Sequence, residues 1–158
     1  MGSADHGGRY YPRADCHRRK SSAEVTINAV AQLAAGLSAL LLIVVFPLEA
    51  FLIDRPWVQR FLGIEASGLR QVHLWSFCIG ARNALVGVGT FIGLWMVGYA
   101  DAVTGTTVVV VCCIYMLFSS LFMGVADLIG YWRPRGGSVR GTVGSVILPA
   151  VALVAIAL

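Results

Sequence analysis

The sequence predicts an all-α fold: an integral membrane four-helix transmembrane bundle with a polar N-terminal tail. Of its 158 residues, 58% are hydrophobic and 13% are charged, whereas soluble domains have about 45–50% apolar and about 25% charged residues. The apolar residues fall into four runs, each comparable to the ~20 residues with which a helix crosses a bilayer. These runs are continuous rather than alternating, which favours helices over strands.

The polar tail is predicted over residues 1–22. It holds five of the twelve basic residues, and it lacks the apolar stretch of a signal peptide. We expect it to lie against anionic lipid headgroups and not on nucleic acid, because no nucleic-acid-binding motif accompanies it. We predict no metal and no cofactor, because the spacing of its potential ligands matches no standard metal site. Those ligands are His6, Asp15, Cys16 and His17.

The membrane domain is predicted over residues 23–158, with helices at about 23–53, 71–99, 103–129 and 141–158. The very short second connection makes the second and third helices antiparallel neighbours. In the long first connection, Asp54 and Pro56 are suited to the start of a helix. Trp57, Val58, Phe61 and Leu62 are placed on one face of that segment, which predicts a short helix in the membrane interface. The alternative is an ordinary loop.

Charge does not decide the orientation in the membrane. The tail side carries five Lys or Arg residues and the opposite side carries six. This difference is too small for the positive-inside rule to favour either orientation. Because the basic tail directly precedes the first helix, we favour a cytoplasmic N-terminus in a plasma or inner membrane. Four spans then place the C-terminus on the same side.

Small residues four positions apart line a face on each of the first two helices; on the second helix they form two pairs, Gly89 with Gly93 and, above them, Gly80 with Ala84. Such faces let helix backbones approach closely in lipid, and we favour packing within the monomer over a dimer interface. The residues are Ala31, Ala35 and Ala39 on the first helix and Gly80, Ala84, Gly89 and Gly93 on the second.

Five polar residues fall inside or at the ends of the predicted spans, all towards the same membrane face. They are Glu49, His73, Arg82, Asn83 and Asp127. A charge near the bilayer centre costs about 2.5–3.5 kcal/mol or more, so such residues usually face the bundle interior and form pairs. We therefore predict that Arg82 pairs with Glu49, Asp127 or both. The cluster is either a structural ion pair that fixes helix register or the lining of a polar binding pocket.

The motif around Glu49 and the one around Gly80 resemble those of a known family. The matching segments are Leu48-Glu49-Ala50-Phe51-Leu52, Arg60-Phe61-Leu62-Gly63, Cys78-Ile79-Gly80-Ala81-Arg82-Asn83 and the late Asp127. They resemble a bacterial family of small four-helix membrane proteins of unknown function, domain of unknown function 1304, over about Leu42 to the C-terminus. The resemblance implies a four-helix bundle and no particular activity.

The sequence departs from the family pattern at several positions. The family's His before the Glu falls on Leu42, its Asn-Gln pair falls on Cys78 and Ile79, and Arg82 replaces what is usually an aromatic residue. Glu49, Gly80, Asn83 and Asp127 match. Any site that the family builds from the His and the Asn-Gln pair is therefore changed in this chain.

The predicted function is that of a non-enzymatic accessory or scaffold subunit of a membrane complex. No phosphate-binding loop, His-Glu-x-x-His motif or paired Cys-x-x-Cys motif is present in the sequence. The expected partners are the lipid bilayer and either another membrane protein or further copies of the chain. The alternative is a small transporter, or a protein that binds a lipid or small molecule at the Glu49, Arg82, Asn83 and Asp127 cluster.

Overall fold

The computed structural model describes residues 27–62, 69–131 and 136–158, so the predicted tail lies outside the described residues. These ranges contain helices and no strand. The helices are α1 (Ala29–Ala50), α2 (Pro56–Leu62), α3 (Leu69–Tyr99), α4 (Ala102–Leu128) and α5 (Val139–Ala157). Four of them, α1, α3, α4 and α5, are long and apolar enough to cross a membrane. The predicted all-α bundle with four candidate spans is confirmed.

The ends of α1 follow from local hydrogen bonding. Its N-cap is Asn28, whose side-chain oxygen accepts a hydrogen bond from the Ala31 amide at 2.8 Å, as N-cap residues do. At its C-terminal end, the amides of Phe51 and Leu52 both donate to the Pro47 carbonyl, at 3.1 and 3.2 Å. The helix therefore ends at Ala50, three residues before the predicted boundary.

The four long helices form a closed ring. Helix α3 packs on α1, α4 on α3, α5 on α4, and α5 in turn on α1. Residues 100–101 alone separate α3 from α4, so these helices are antiparallel neighbours, as predicted. The end of the bundle at which α1 ends and α3 begins is called the loop end below. The chain also passes from α4 to α5 there.

Small residues line the contacts between the helices. Ala31, Ala35 and Ala39 are fully buried, which confirms the prediction that this face packs within the monomer. The backbones of α3 and α4 approach closely where Gly105 meets Gly93 and Val97. Large apolar side chains on all four long helices are instead exposed on the outer surface, where a bilayer supplies the apolar surroundings.

Helix α2 confirms the predicted helix in the first connection but corrects its orientation. Val58 is fully buried, whereas Trp57 and Phe61 are 55% and 68% exposed, so the predicted single shared face is wrong. At 3.6 residues per turn, Trp57 and Phe61 point roughly the same way, while Val58 and Leu62 point about 100° away. Val58 and Leu62 therefore face the bundle, and Trp57 and Phe61 lie on the outside.

Candidate functional site

Glu49 lies in the last turn of α1, at the loop end of the bundle. The Ser76 hydroxyl on α3 donates a hydrogen bond to the Glu49 backbone carbonyl at 2.8 Å, and this bond joins the two helices. The Glu49 Oε2 atom is buried and has no hydrogen-bond partner among the described residues. Buried polar atoms are normally paired, so this oxygen is the most unusual atom of the predicted cluster.

Gly80 provides the space that the Glu49 carboxyl occupies. A Cβ atom added at Gly80 would lie 3.0 Å from Glu49 Oε2, 3.1 Å from the Phe46 ring and 3.3 Å from Glu49 Cβ. Phe46, Phe51 and Phe77 form a group of edge-on ring contacts, with centroids 5.8–6.2 Å apart. The carboxyl is therefore packed between a glycine and an aromatic group, and not among hydrogen-bond donors.

Arg82 does not join this arrangement. Its side chain is exposed, and its Nε donates to the Cys78 carbonyl of the preceding turn at 3.3 Å. Within the described ranges it forms no ion pair with Glu49 or Asp127, so the predicted pairing is wrong. The reason is helical geometry: Arg82 is two residues beyond Gly80, or about 200° around the helix. With Gly80 against α1, Arg82 is on the outer surface.

Asp127 lies near the end of α4 and is buried. Its Oδ1 accepts the Gly136 amide at 2.9 Å, and its Oδ2 accepts the amide and the hydroxyl of Ser138 at 3.0 and 2.8 Å. The carboxylate thus attaches the start of α5 to α4. Gly136 has a φ of +88°, a conformation that glycine adopts without strain.

Ser138 and Gly136 were not predicted as partners of Asp127. Gly136-Gly137-Ser138 directly before α5 is a turn followed by a typical helix N-cap, and this pattern was the available signal. Ser138 occupies the N-cap position but makes no side-chain cap bond; its side chain instead faces α4 and donates its hydroxyl to Asp127. Asp127 therefore has a structural role in joining the helices.

The remaining predicted residues, His73 and Asn83, are both half-buried on α3. The structure brings Glu49 together with Ser76 and Gly80, but it does not assemble all five predicted residues into one group. No three His, Cys, Asp or Glu side chains within the described ranges lie close enough to hold a metal ion.

Two grooves on the surface of the bundle are lined almost entirely by apolar side chains. One lies between α1 and α3 and includes Gln32, Gly36 and Phe91. The other lies between α1 and α5 and includes Val30 and Val151. Neither groove includes a residue of the predicted polar cluster.

The fold and its exposed apolar surface define a small multi-pass membrane protein built as a closed ring of four helices. The family model of the protein of unknown function DUF1304 matches residues 36–157. The chain belongs to this family, as the motifs around Glu49 and Gly80 predicted. No curated protein and no solved structure matches the chain.

Proposed function

We propose that this protein is a non-enzymatic accessory or scaffold subunit of a membrane complex. It binds a neighbouring membrane protein through the surface around Arg82. The observation that carries this proposal is an exposed arginine inside a membrane span. Arg82 is nine residues beyond His73 in the span His73–Tyr99, which places it about 14 Å along the helix at 1.5 Å per residue.

A charge at that depth needs a counter-charge. An arginine at the centre of a transmembrane helix costs about 2.5–3.5 kcal/mol on insertion scales, and intramembrane charges usually pair. Arg82 makes no ion pair within the described part of the chain. An aspartate or glutamate on a neighbouring transmembrane helix supplies the missing charge with the geometry that a guanidinium prefers.

The surface around Arg82 is suited to helix packing. Trp75, Cys78, Arg82 and Leu85 are exposed and lie within a narrow stripe on α3, because residues three and four apart share a helix face. We call these four residues the Arg82 face. Its one charge is surrounded by apolar side chains, so a partner helix with one acidic residue complements it.

The experiment is site-specific photo-crosslinking in native membranes. A photoreactive residue at Leu85 should give one discrete protein adduct, whereas the same residue at Val154, exposed on α5, should not. Arg82→Gln should abolish the adduct and Arg82→Lys should retain it. Once the partner is identified, Arg82→Glu combined with an acid-to-arginine change in the partner should restore it.

Two matched observations complete this test. Leu85→Gln adds polarity to the same face without removing the charge, and it should weaken the interaction much less than Arg82→Gln. Two differently tagged copies of the chain distinguish self-association from binding to another protein. A chain that remains monomeric in native membranes, with adducts to lipid alone, would refute the accessory-subunit proposal.

Transport or binding of a small molecule is the second candidate function. Glu49 supports it, because its buried Oε2 has capacity to accept a hydrogen bond that no described residue uses. Native mass spectrometry of protein released from its own membrane should then show a bound small molecule that Glu49→Gln removes. Identical spectra for the two proteins would count against this function.

We also propose that the protein resides in a plasma or inner membrane with its N-terminus in the cytoplasm. The basic tail that directly precedes the first helix supports this orientation. Asn28 donates a side-chain hydrogen bond to the Ala155 carbonyl, which supports placing the two ends of the membrane domain on the same side. Labelling of single cysteines with a membrane-impermeant reagent, placed before Asn28 and in α2, tests the orientation. Labelling from outside the cell near Asn28 would refute it.

A further inference from the structure

Helix α2 is fixed against the loop end of the bundle. Ile53 and Val58 are both fully buried, and the Gln59 side-chain amide donates to the Ile53 carbonyl at 3.2 Å. Five residues separate the end of α1 at Ala50 from the start of α2 at Pro56. This short connection keeps α2 at the level where the spanning helices leave the hydrocarbon.

The outer surface of α2 combines aromatic and basic side chains. Trp57 and Phe61, one turn apart, are exposed, and so are Arg55 and Arg60 on either side of Trp57. Tryptophan is enriched at the membrane–water interface. Apolar rings beside arginines are typical of helices that lie in the headgroup layer and attract anionic lipids.

The charge of the loop end agrees with this pattern. The chain at the loop end carries six arginines against two carboxylates, Asp54 and Glu65. Two of the arginines, Arg70 and Arg140, are the second residues of α3 and α5, and the other four precede those helices: Arg55, Arg60, Arg133 and Arg135. Arginines next to transmembrane helices are attracted to anionic headgroups in the leaflet on their own side, and the attraction falls off within a Debye length. With the orientation proposed above, that is the non-cytoplasmic leaflet.

We infer that α2 is a lipid-binding element: Trp57 and Phe61 insert into the headgroup region, and Arg55 and Arg60 select anionic phospholipids for the leaflet at the loop end. The buried pair Ile53 and Val58 holds α2 in place, so binding needs no rearrangement of the bundle. This surface is separate from the Arg82 face, and the two proposals stand or fall independently.

The test is tryptophan quenching by brominated lipids. The full chain with Trp75, Trp95 and Trp132 changed to phenylalanine is reconstituted into vesicles of phosphatidylcholine and phosphatidylglycerol, in which either lipid carries the bromine. At equal mole fraction, brominated phosphatidylglycerol should quench Trp57 at least twofold more than brominated phosphatidylcholine. Raising the salt concentration should reduce this difference.

Charge variants show which residues make the selection. Arg55→Gln with Arg60→Gln should equalise the two quenchers, whereas Arg55→Lys with Arg60→Lys should retain the preference. As a matched control, Arg9→Gln with Arg13→Gln removes two charges from the tail and should change nothing. If the glutamine pair fails to fold, the single changes Arg55→Gln and Arg60→Gln decide the matter, because each should reduce the preference.

Two outcomes would overturn the inference. Equal quenching by both lipids, in the protein that retains Trp57 as its single tryptophan and has Arg55 and Arg60 in place, would show that α2 does not select anionic headgroups. Absence of quenching would show that water or protein covers Trp57. If quenching is absent, its return as the protein-to-lipid ratio is lowered would show that a second copy of the chain covers Trp57.

Discussion

Gly105→Ala tests the close contact between α3 and α4. A Cβ atom at Gly105 would lie 2.6 Å from the Val97 amide nitrogen, 2.7 Å from the Gly93 carbonyl oxygen and 2.9 Å from Met96 Cβ. Ordinary contacts begin near 3.4 Å. The new Cβ and the Val97 nitrogen, which are 2.6 Å apart, would therefore have to separate by about 0.8 Å, and α3 and α4 with them. Two of the three atoms belong to the backbone, so no rotamer change relieves the overlap.

The magnitude follows from two opposing effects. Overpacking of this kind costs about 1–3 kcal/mol, occasionally more, whereas replacing a helical glycine by alanine gains up to about 1 kcal/mol in helix propensity. Gly144 on α5 has open space where a Cβ would be added, so Gly144→Ala shows the propensity effect alone. We expect Gly105→Ala to be less stable than Gly144→Ala by about 2 kcal/mol.

The assay is unfolding of the purified protein in mixed micelles by titration with sodium dodecyl sulfate, followed by circular dichroism. Both variants should begin with the same helix content, and the Gly105→Ala transition should occur at a lower fraction of dodecyl sulfate. If the two variants unfold together, α3 and α4 do not approach at Gly93 and Gly105, and the packing described for this interface is incorrect.

Three further predictions concern the two ends of the bundle. Gly80→Ala should destabilise the protein less than Gly105→Ala in the same titration, because its Cβ meets side-chain atoms of Glu49 that can move. Asp127→Asn should lower the free energy of unfolding more than Ser138→Ala does. In Asp127→Asn an amide nitrogen replaces an oxygen that accepts from backbone amides, and each buried donor left unpaired costs about 1–3 kcal/mol. Hydrogen bonds from the Thr104 hydroxyl and the Val103 amide hold the pKa of Asp101 below its usual value. The capping contribution of Asp101 should therefore be complete above the ordinary aspartate pKa of 3.8 and be lost as pH falls through the lowered value. Melting curves from pH 7 to well below pH 3.8 would show this loss.

The Asp101 prediction has a matched control, and the Asp127 prediction has a clear outcome that would contradict it. Asp101→Asn keeps a capping oxygen but does not titrate there, so its melting temperature should lack the acid-dependent part of the wild-type curve. A wild-type curve parallel to that of Asp101→Asn would contradict the cap. Equal losses from Asp127→Asn and Ser138→Ala would mean that the backbone amides of the α4–α5 connection contribute nothing.

The four spans were predictable because length and continuous apolarity are local properties of the chain. Pairing between helices was not, since it depends on rotation and register. Gly93 was recognised as part of a small-residue face, but its partner Gly105 was not, because one glycine in a span says little about which helix approaches it. The same limit applies to Glu49 and Gly80: the motifs were recognised, but the fit of the carboxyl into the glycine's space needs the register between α1 and α3.

Arg82 shows how a sound general rule fails in a particular case. Intramembrane charges usually face the interior, which led to the predicted pairing. Gly80, however, must face α1 to make room for Glu49, and a residue two positions further on then turns away. The period of the helix therefore outweighed the preference of the charge for a partner within the same chain.

The contact of α5 with α1 has a consequence for how the protein is made. Ala31 and Ala35 belong to the same buried core as Ala152 of α5, and Asn28 bonds to the Ala155 carbonyl. During synthesis α1 enters the bilayer before α5, and the part of its alanine surface that α5 covers stays open until α5 is inserted. Membrane quality-control proteases or chaperones thus have a defined interval in which to recognise an incomplete ring, and a chain that stops before α5 should remain open to them permanently.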